Sequence, residues 1–118
     1  KANSEGVELH QSVVARIMTL PVHTSNYGLV HYDIHHGNYL LQADGSLVLF
    51  DFELCCQTWF IHDVAIVLYY AATHPKSLAN ENFQEEFLGY FWKGYQGEFP
   101  KPSKEEMAFI PTFLLYRD

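Results

Sequence analysis

Positive charge is scarce in this 118-residue chain: seven Lys and Arg stand against fourteen Asp and Glu, a formal charge of −7. Polyanions are held by clustered Lys and Arg, so the deficit excludes a nucleic-acid surface. Cysteine is scarcer still. Cys55 and Cys56 are adjacent in sequence, which is poor geometry for an ordinary disulfide and supplies half of a four-ligand metal site. They read as reduced, small, buried residues of a cytoplasmic protein. Long apolar runs are missing as well. The longest without charge, Val64 to Thr73, is half of the ~20 residues that cross a bilayer, and no signal peptide opens the chain. No membrane partner is expected.

What remains is globular: 48% hydrophobic and 16% aromatic residues with 18% charged. The length is that of one domain, 1–118. The chain begins without Met, and Phe113 to Asp118 stops inside a helical pattern, so it reads as a piece of a longer protein.

Leu9, Val13, Ile17 and Leu20 recur at helical spacing behind a candidate cap at Ser4, and Pro21 ends the pattern. Three short extended segments follow, Gly28–Tyr32, Asn38–Gln42 and Ser46–Phe50. Ala43-Asp44-Gly45 joins the last two as a hairpin turn, which makes Asn38 and Asp51 cross-strand neighbours. Trp59–Thr73 is apolar on nearly every face and reads as a buried central helix. Asn80 caps a further helix whose Phe83, Phe87, Tyr90, Phe91 and Tyr95 form a core-facing stripe, closed by Gly94 and Gly97. Ser103 with Glu106 is a capping box for a last helix that Pro111 kinks or restarts. The fold class is α+β, mainly helical, with a small β-hairpin.

The chemistry is concentrated in His31-Tyr32-Asp33-Ile34-His35-His36-Gly37-Asn38 and, after the hairpin, Asp51-Phe52-Glu53. An Asp, an Asn five positions on, and an Asp ending the next apolar strand are the parts a kinase uses to hold Mg²⁺ and steer a hydroxyl toward ATP. Asp33 is the candidate base, orienting the hydroxyl and accepting its proton late. Asn38 and Asp51 offer the hard oxygen donors that Mg²⁺ prefers. Gly37 lets the loop turn before Asn38.

His31-x-Asp33-x-x-x-x-Asn38, then Asp51-Phe52-Glu53, then Trp59-Phe60-Ile61-His62-Asp63-Val64-Ala65, resembles the C-terminal lobe of the aminoglycoside phosphotransferase and choline kinase family, which has a protein-kinase-like fold. Its nearest likeness there is to homoserine-kinase-like and other small-molecule kinases of bacteria. The resemblance implies ATP and Mg²⁺ as cofactors and a small hydroxylated molecule as substrate. It makes Asp33 the catalytic base, Asn38 and Asp51 the metal and nucleotide ligands, and His31 a brace for the catalytic loop. Asp63 becomes a buried acid anchoring that loop through backbone N–H groups. The family usually has Gly where Tyr32 stands, so this backbone must turn without a permissive residue. The family's N-terminal lobe, which clamps ATP, has no counterpart here, nor is there a Walker loop: Gly89 to Gly94 has the spacing without the Lys and Ser/Thr. The chain alone is therefore expected to be inactive, and the apolar patch left by the absent lobe could dimerise.

Other readings stay open at this level. Asp63 could simply stabilise its helix N-terminus. Glu81, Glu85 and Glu86 are a solvated face or an attraction for a cationic substrate. Glu53 assists the metal or faces solvent. His31, Asp33, His35 and His36 could hold a transition metal for a hydrolase, although that leaves Asn38 and Asp51 unexplained. A non-catalytic kinase-like binding lobe is the third reading.

Overall fold

A computed structural model describes residues 4–75 and 79–117. Helix α1 (Ser4–Ile17) leads into β1 (Tyr27–Val30), β2 (Tyr39–Leu41), β3 (Leu47–Leu49) and β4 (Cys56–Trp59). The rest is helical: α2 (Phe60–Thr73), α3 (Glu81–Glu98), α4 (Lys104–Ala108) and α5 (Ile110–Arg117). The strands form two antiparallel pairs, β1 with β4 and β2 with β3. No described helix is long and apolar enough to cross a membrane.

The core lies where α1, α2 and α5 meet. Val13, Ile17 and Leu20 from the α1 side pack with Trp59, Ile61, Val64 and Ala65, and Phe109 and Phe113 close the cluster. Leu9, placed by its spacing on the same stripe, is exposed instead. Arg16 ties α1 to α5 through its Nε–H donation to Thr112 Oγ1 at 3.3 Å and its guanidinium 4.7 Å above the Phe109 ring.

The β1–β4 pair is the element that sequence patterning does not reveal, and it sets where α2 begins. Its register joins Tyr27 to Trp59 and Val30 to Cys56. The Trp59 indole donates to the Pro21 carbonyl at 3.0 Å and meets the Tyr27 ring edge-on, so β4 is fastened to the segment leaving α1. Helix α2 therefore starts at Phe60, and Trp59 belongs to the strand.

The β2–β3 hairpin has the expected position in slightly shorter form, with Tyr39 opposite Leu49. Gly45 takes φ 88 in the turn, where a side chain would be strained. Asp44 Oδ1 accepts from the Ser46 N–H and hydroxyl at 2.9 and 2.6 Å, closing the turn locally.

Asn80 caps α3 by accepting from the Asn82 N–H at 3.0 Å, and Ser103 with Glu106 makes the full capping box at α4. Gly94 and Gly97 do not end α3, which runs through both to Glu98. Gly costs about 1 kcal/mol in a helix, which Phe91, Trp92 and Tyr95 offset by packing on the core; Tyr90, placed by its spacing on the core-facing stripe, is 77% exposed instead. Helix α5 starts at Ile110 with Pro111 in its first turn, where a missing N–H costs nothing. Cys55 is exposed and Cys56 half-buried, so neither is the buried residue expected. The radius of gyration, 15.6 Å, exceeds the ~13–14 Å of a compact domain of this length. In the hairpin Leu40, Leu41, Leu47, Val48 and Leu49 are all exposed.

Candidate active site

The segment between β1 and β2 is fixed at its start by α2. Tyr32 adopts φ 75, a left-handed conformation that costs a residue with a side chain about 1–2 kcal/mol. Its N–H donates to Asp63 Oδ1 at 3.0 Å, and its ring stands edge-on to His62 at 4.7 Å. Asp63 lies in the first turn of α2, so it can serve both the helix dipole and the loop. Burial pushes its carboxyl above the usual range, opposed by the backbone N–H groups of Tyr32 and His31. The absent Gly is thus met by strain, held in place by an acid and a ring from the same helix.

His31 is buried and uses both ring nitrogens inside the protein. Nδ1 accepts from the Asp33 N–H at 3.2 Å, which leaves the ring proton on Nε2 to donate to the Phe50 carbonyl at 2.9 Å. The ring also packs on Phe52 at 4.6 Å. One imidazole therefore joins the residue that carries the candidate base to the residue before Asp51.

Asn38 is buried at the start of the hairpin. Its N–H donates to the His35 carbonyl at 2.8 Å, and its own carbonyl accepts from the Phe50 N–H at 3.1 Å. The amide nitrogen, as the hydrogen-bond network assigns it, donates to the Asp33 carbonyl at 2.8 Å and to Asp33 Oδ2 at 3.1 Å. The amide oxygen is the acceptor left over. Asp51 follows Phe50 with φ 61, a left-handed turn that Asp tolerates better than most residues, and it is exposed. Asn38 and Asp51 thus sit at the two ends of one hairpin, a neutral and an anionic oxygen donor, a set whose chemistry fits Mg²⁺.

Asp33 is held at both carboxylate oxygens. Tyr70 of α2 donates its hydroxyl to Oδ1 at 3.3 Å, and besides Asn38 the His35 Nε2 lies 3.6 Å from Oδ2. His35 also accepts the Gly37 N–H on Nδ1 at 3.0 Å. Gly37 is not in the left-handed region. What the site needs there is room, because a Cβ would fall 2.9 Å from the His35 ring.

The structure gathers His31, Asp33, Asn38 and Asp51 around the base of the hairpin and places Asp63 behind the loop. His36 turns away, its ring 5.3 Å from that of His74, and Glu53, Glu81, Glu85 and Glu86 are exposed. A transition-metal centre on His31, Asp33, His35 and His36 is not favoured: His31 faces inward, and no group of three or more His, Cys, Asp or Glu among the described residues could hold a metal. Tyr70 was hidden in the apolar pattern of its helix. Its one sequence signal is its place seven residues after Asp63, two helical turns along the same face.

A sequence profile of the phosphotransferase enzyme family matches residues 4–110. Amicoumacin kinase of Bacillus subtilis (strain 168) is 36% identical over 108 residues, 90% of this chain and 32% of that protein. Homoserine kinase of Neisseria meningitidis serogroup B is 32% identical over 85 residues, 72% of this chain and 26% of that protein. A solved structure, amicoumacin kinase hAmiN in complex with AMP-PNP, Ca²⁺ and Ami, superposes with a TM-score of 0.83 at 34% identity, covering 98% of this chain and 36% of that one. The chain spans about a quarter to a third of the length of these relatives.

Proposed function

This chain belongs to the phosphotransferase enzyme family, and from that we propose that it is the C-terminal, catalytic lobe of an ATP- and Mg²⁺-dependent kinase that phosphorylates a hydroxyl of a small molecule. The observation that carries the reading is the tie between the two halves of the site: His31 bonds the Asp33 backbone to the Phe50 carbonyl, and Asn38 bonds Asp33 to the strand leading to Asp51.

Asp33 takes the role of base. Its carboxylate orients the acceptor hydroxyl and receives the proton as the O–P bond forms, an effect of ~10²- to 10⁴-fold. Asn38 Oδ1 and the Asp51 carboxylate are the metal ligands, and Mg²⁺ bound there would neutralise charge on the ATP phosphates. His31, Gly37 and Asp63 support the loop. The remainder of the protein would supply the clamp over ATP, so residues 1–118 by themselves are expected to be inactive. Amicoumacin and homoserine, the substrates named for the relatives, belong at the head of the acceptor panel.

The test is Mg²⁺-dependent ATP consumption by the full-length protein with a panel of amines, amino acids and sugars bearing hydroxyls. Asp33→Asn should lower kcat by ~10²- to 10⁴-fold while stability changes by less than about 1 kcal/mol. Unchanged turnover in that variant would overturn the mechanism. A wild-type protein that neither turns over nor binds Mg²⁺–nucleotide would make this a non-catalytic lobe.

A further inference from the structure

We infer that Tyr70 is a positioning residue for Asp33, locking the plane of its carboxylate from helix α2; this rests on the proposed kinase mechanism. A carboxylate held at one oxygen can still turn about its last torsion, whereas one held at both cannot. Asp33 is held at both: the Tyr70 hydroxyl donates to Oδ1 at 3.3 Å and the Asn38 amide to Oδ2 at 3.1 Å. Each oxygen keeps lone-pair capacity for an acceptor hydroxyl.

The two anchors differ in what they are attached to. Asn38 begins the hairpin and is itself a candidate metal ligand, so its side chain must also answer to the metal. Tyr70 is on α2, the helix buried against the core, and is not itself a candidate metal ligand. Asp63 and Tyr70 stand seven residues apart on that helix, about 10 Å along its axis. Asp63 fixes where the loop starts, at the Tyr32 N–H, and Tyr70 fixes where its carboxylate ends. The helix acts as a ruler for the loop.

Tyr70 also touches the loop through its ring, which packs on the His35 imidazole at 4.8 Å. The hydroxyl and the ring can therefore be separated. Tyr70→Phe keeps the ring and removes the bond to Asp33; Tyr70→Ala removes both. The experiment measures steady-state kinetics of the full-length protein with ATP, Mg²⁺ and the best acceptor of the panel, alongside thermal unfolding and the Asp33→Asn control.

A positioning role predicts that Tyr70→Phe lowers kcat by ~10- to 100-fold with KM for ATP and acceptor within about twofold and an unchanged unfolding temperature. Added to Asp33→Asn it should cost nothing more, since the two act as a unit. A Tyr70→Phe protein with wild-type kcat, when Asp33→Asn is inactive and Tyr70→Ala is merely unstable, overturns the inference and leaves the kinase reading standing. Full activity of Asp33→Asn, or a wild-type protein that neither turns over nor binds Mg²⁺–nucleotide, removes the kinase reading and this inference together.

Discussion

The chain contains two apolar regions of opposite fate. Around α2, Ile61 and Phe113 are each 1% exposed, whereas in the β2–β3 hairpin Leu40 and Leu41 are 61% and 72% exposed. Both regions carry the site: α2 supplies Asp63 and Tyr70, and the hairpin supplies Asn38 and Asp51 at its ends. The contrast separates what holds the site from what completes it. The buried side fixes the loop, and the hairpin carries the proposed metal ligands beside a surface rich in uncovered apolar groups, which monomers seldom expose over a large area.

The largest effect should come from emptying the buried side. Phe113 stacks on His62 at 4.4 Å and touches Trp59 and Phe109, so Phe113→Ala leaves a cavity shared by α1, α2 and α5. A loss of about 3–5 kcal/mol is expected, read as a lower denaturant midpoint. A loss below about 1 kcal/mol would show that α5 does not pack as described.

Next in size is a pH effect from the same cluster. His62 is 4% exposed, its Nδ1 lies 3.1 Å from Thr58 Oγ1, and its Nε2 has no hydrogen-bond partner among the described residues. Burial pushes its pKa down to about 4 from 6.5. The unfolded chain then binds more protons between those values, so stability is complete above pH 6.5 and declines as pH falls toward 4, by on the order of 3 kcal/mol. Neighbouring Asp63 works in the other direction, because its raised pKa makes ionisation cost stability as pH rises from the ordinary carboxylate range. Unfolding midpoints measured between pH 4 and 7 should fall on the acid side in the wild type and flatten in His62→Phe. Equal slopes in the two proteins would place the proton uptake elsewhere.

Those two regions were unequally legible in the sequence. The hairpin, α2 and the Asn80 and Ser103 caps are written in local signals: turn residues, periodicity and short polar motifs. Asp33, Asn38 and Asp51 stand out as candidates by spacing, but the expected pairing of Asn38 with Asp51 is off by one: continued past Tyr39 and Leu49 the register sets Phe50 opposite Asn38, and Asp51 follows it. Strand β4 was missed because Cys56 to Trp59 has no alternating pattern and its partner lies some thirty residues away, a pairing that only tertiary structure selects. Tyr70 was missed for the same reason, its polar atom being one hydroxyl in an apolar helix. The Tyr32 strain was foreshadowed by the departure from Gly at that position, whereas the left-handed turn at Asp51 had no such signal.

The smallest effect should come from the hairpin. Leu41 is 72% exposed and Leu47, opposite it, 54%, so Leu41→Lys removes little buried surface from this chain and puts a charge into water. Strand propensity falls slightly with Lys, while a charge on a short open strand opposes edge-to-edge association. The 118-residue chain should change in stability by no more than about 0.5 kcal/mol and become less prone to associate, read from denaturant midpoints and light scattering. A loss comparable to that of Phe113→Ala would erase the contrast between the two regions, because it would mean that the hairpin buries Leu41 in solution as firmly as α2 buries its own side chains.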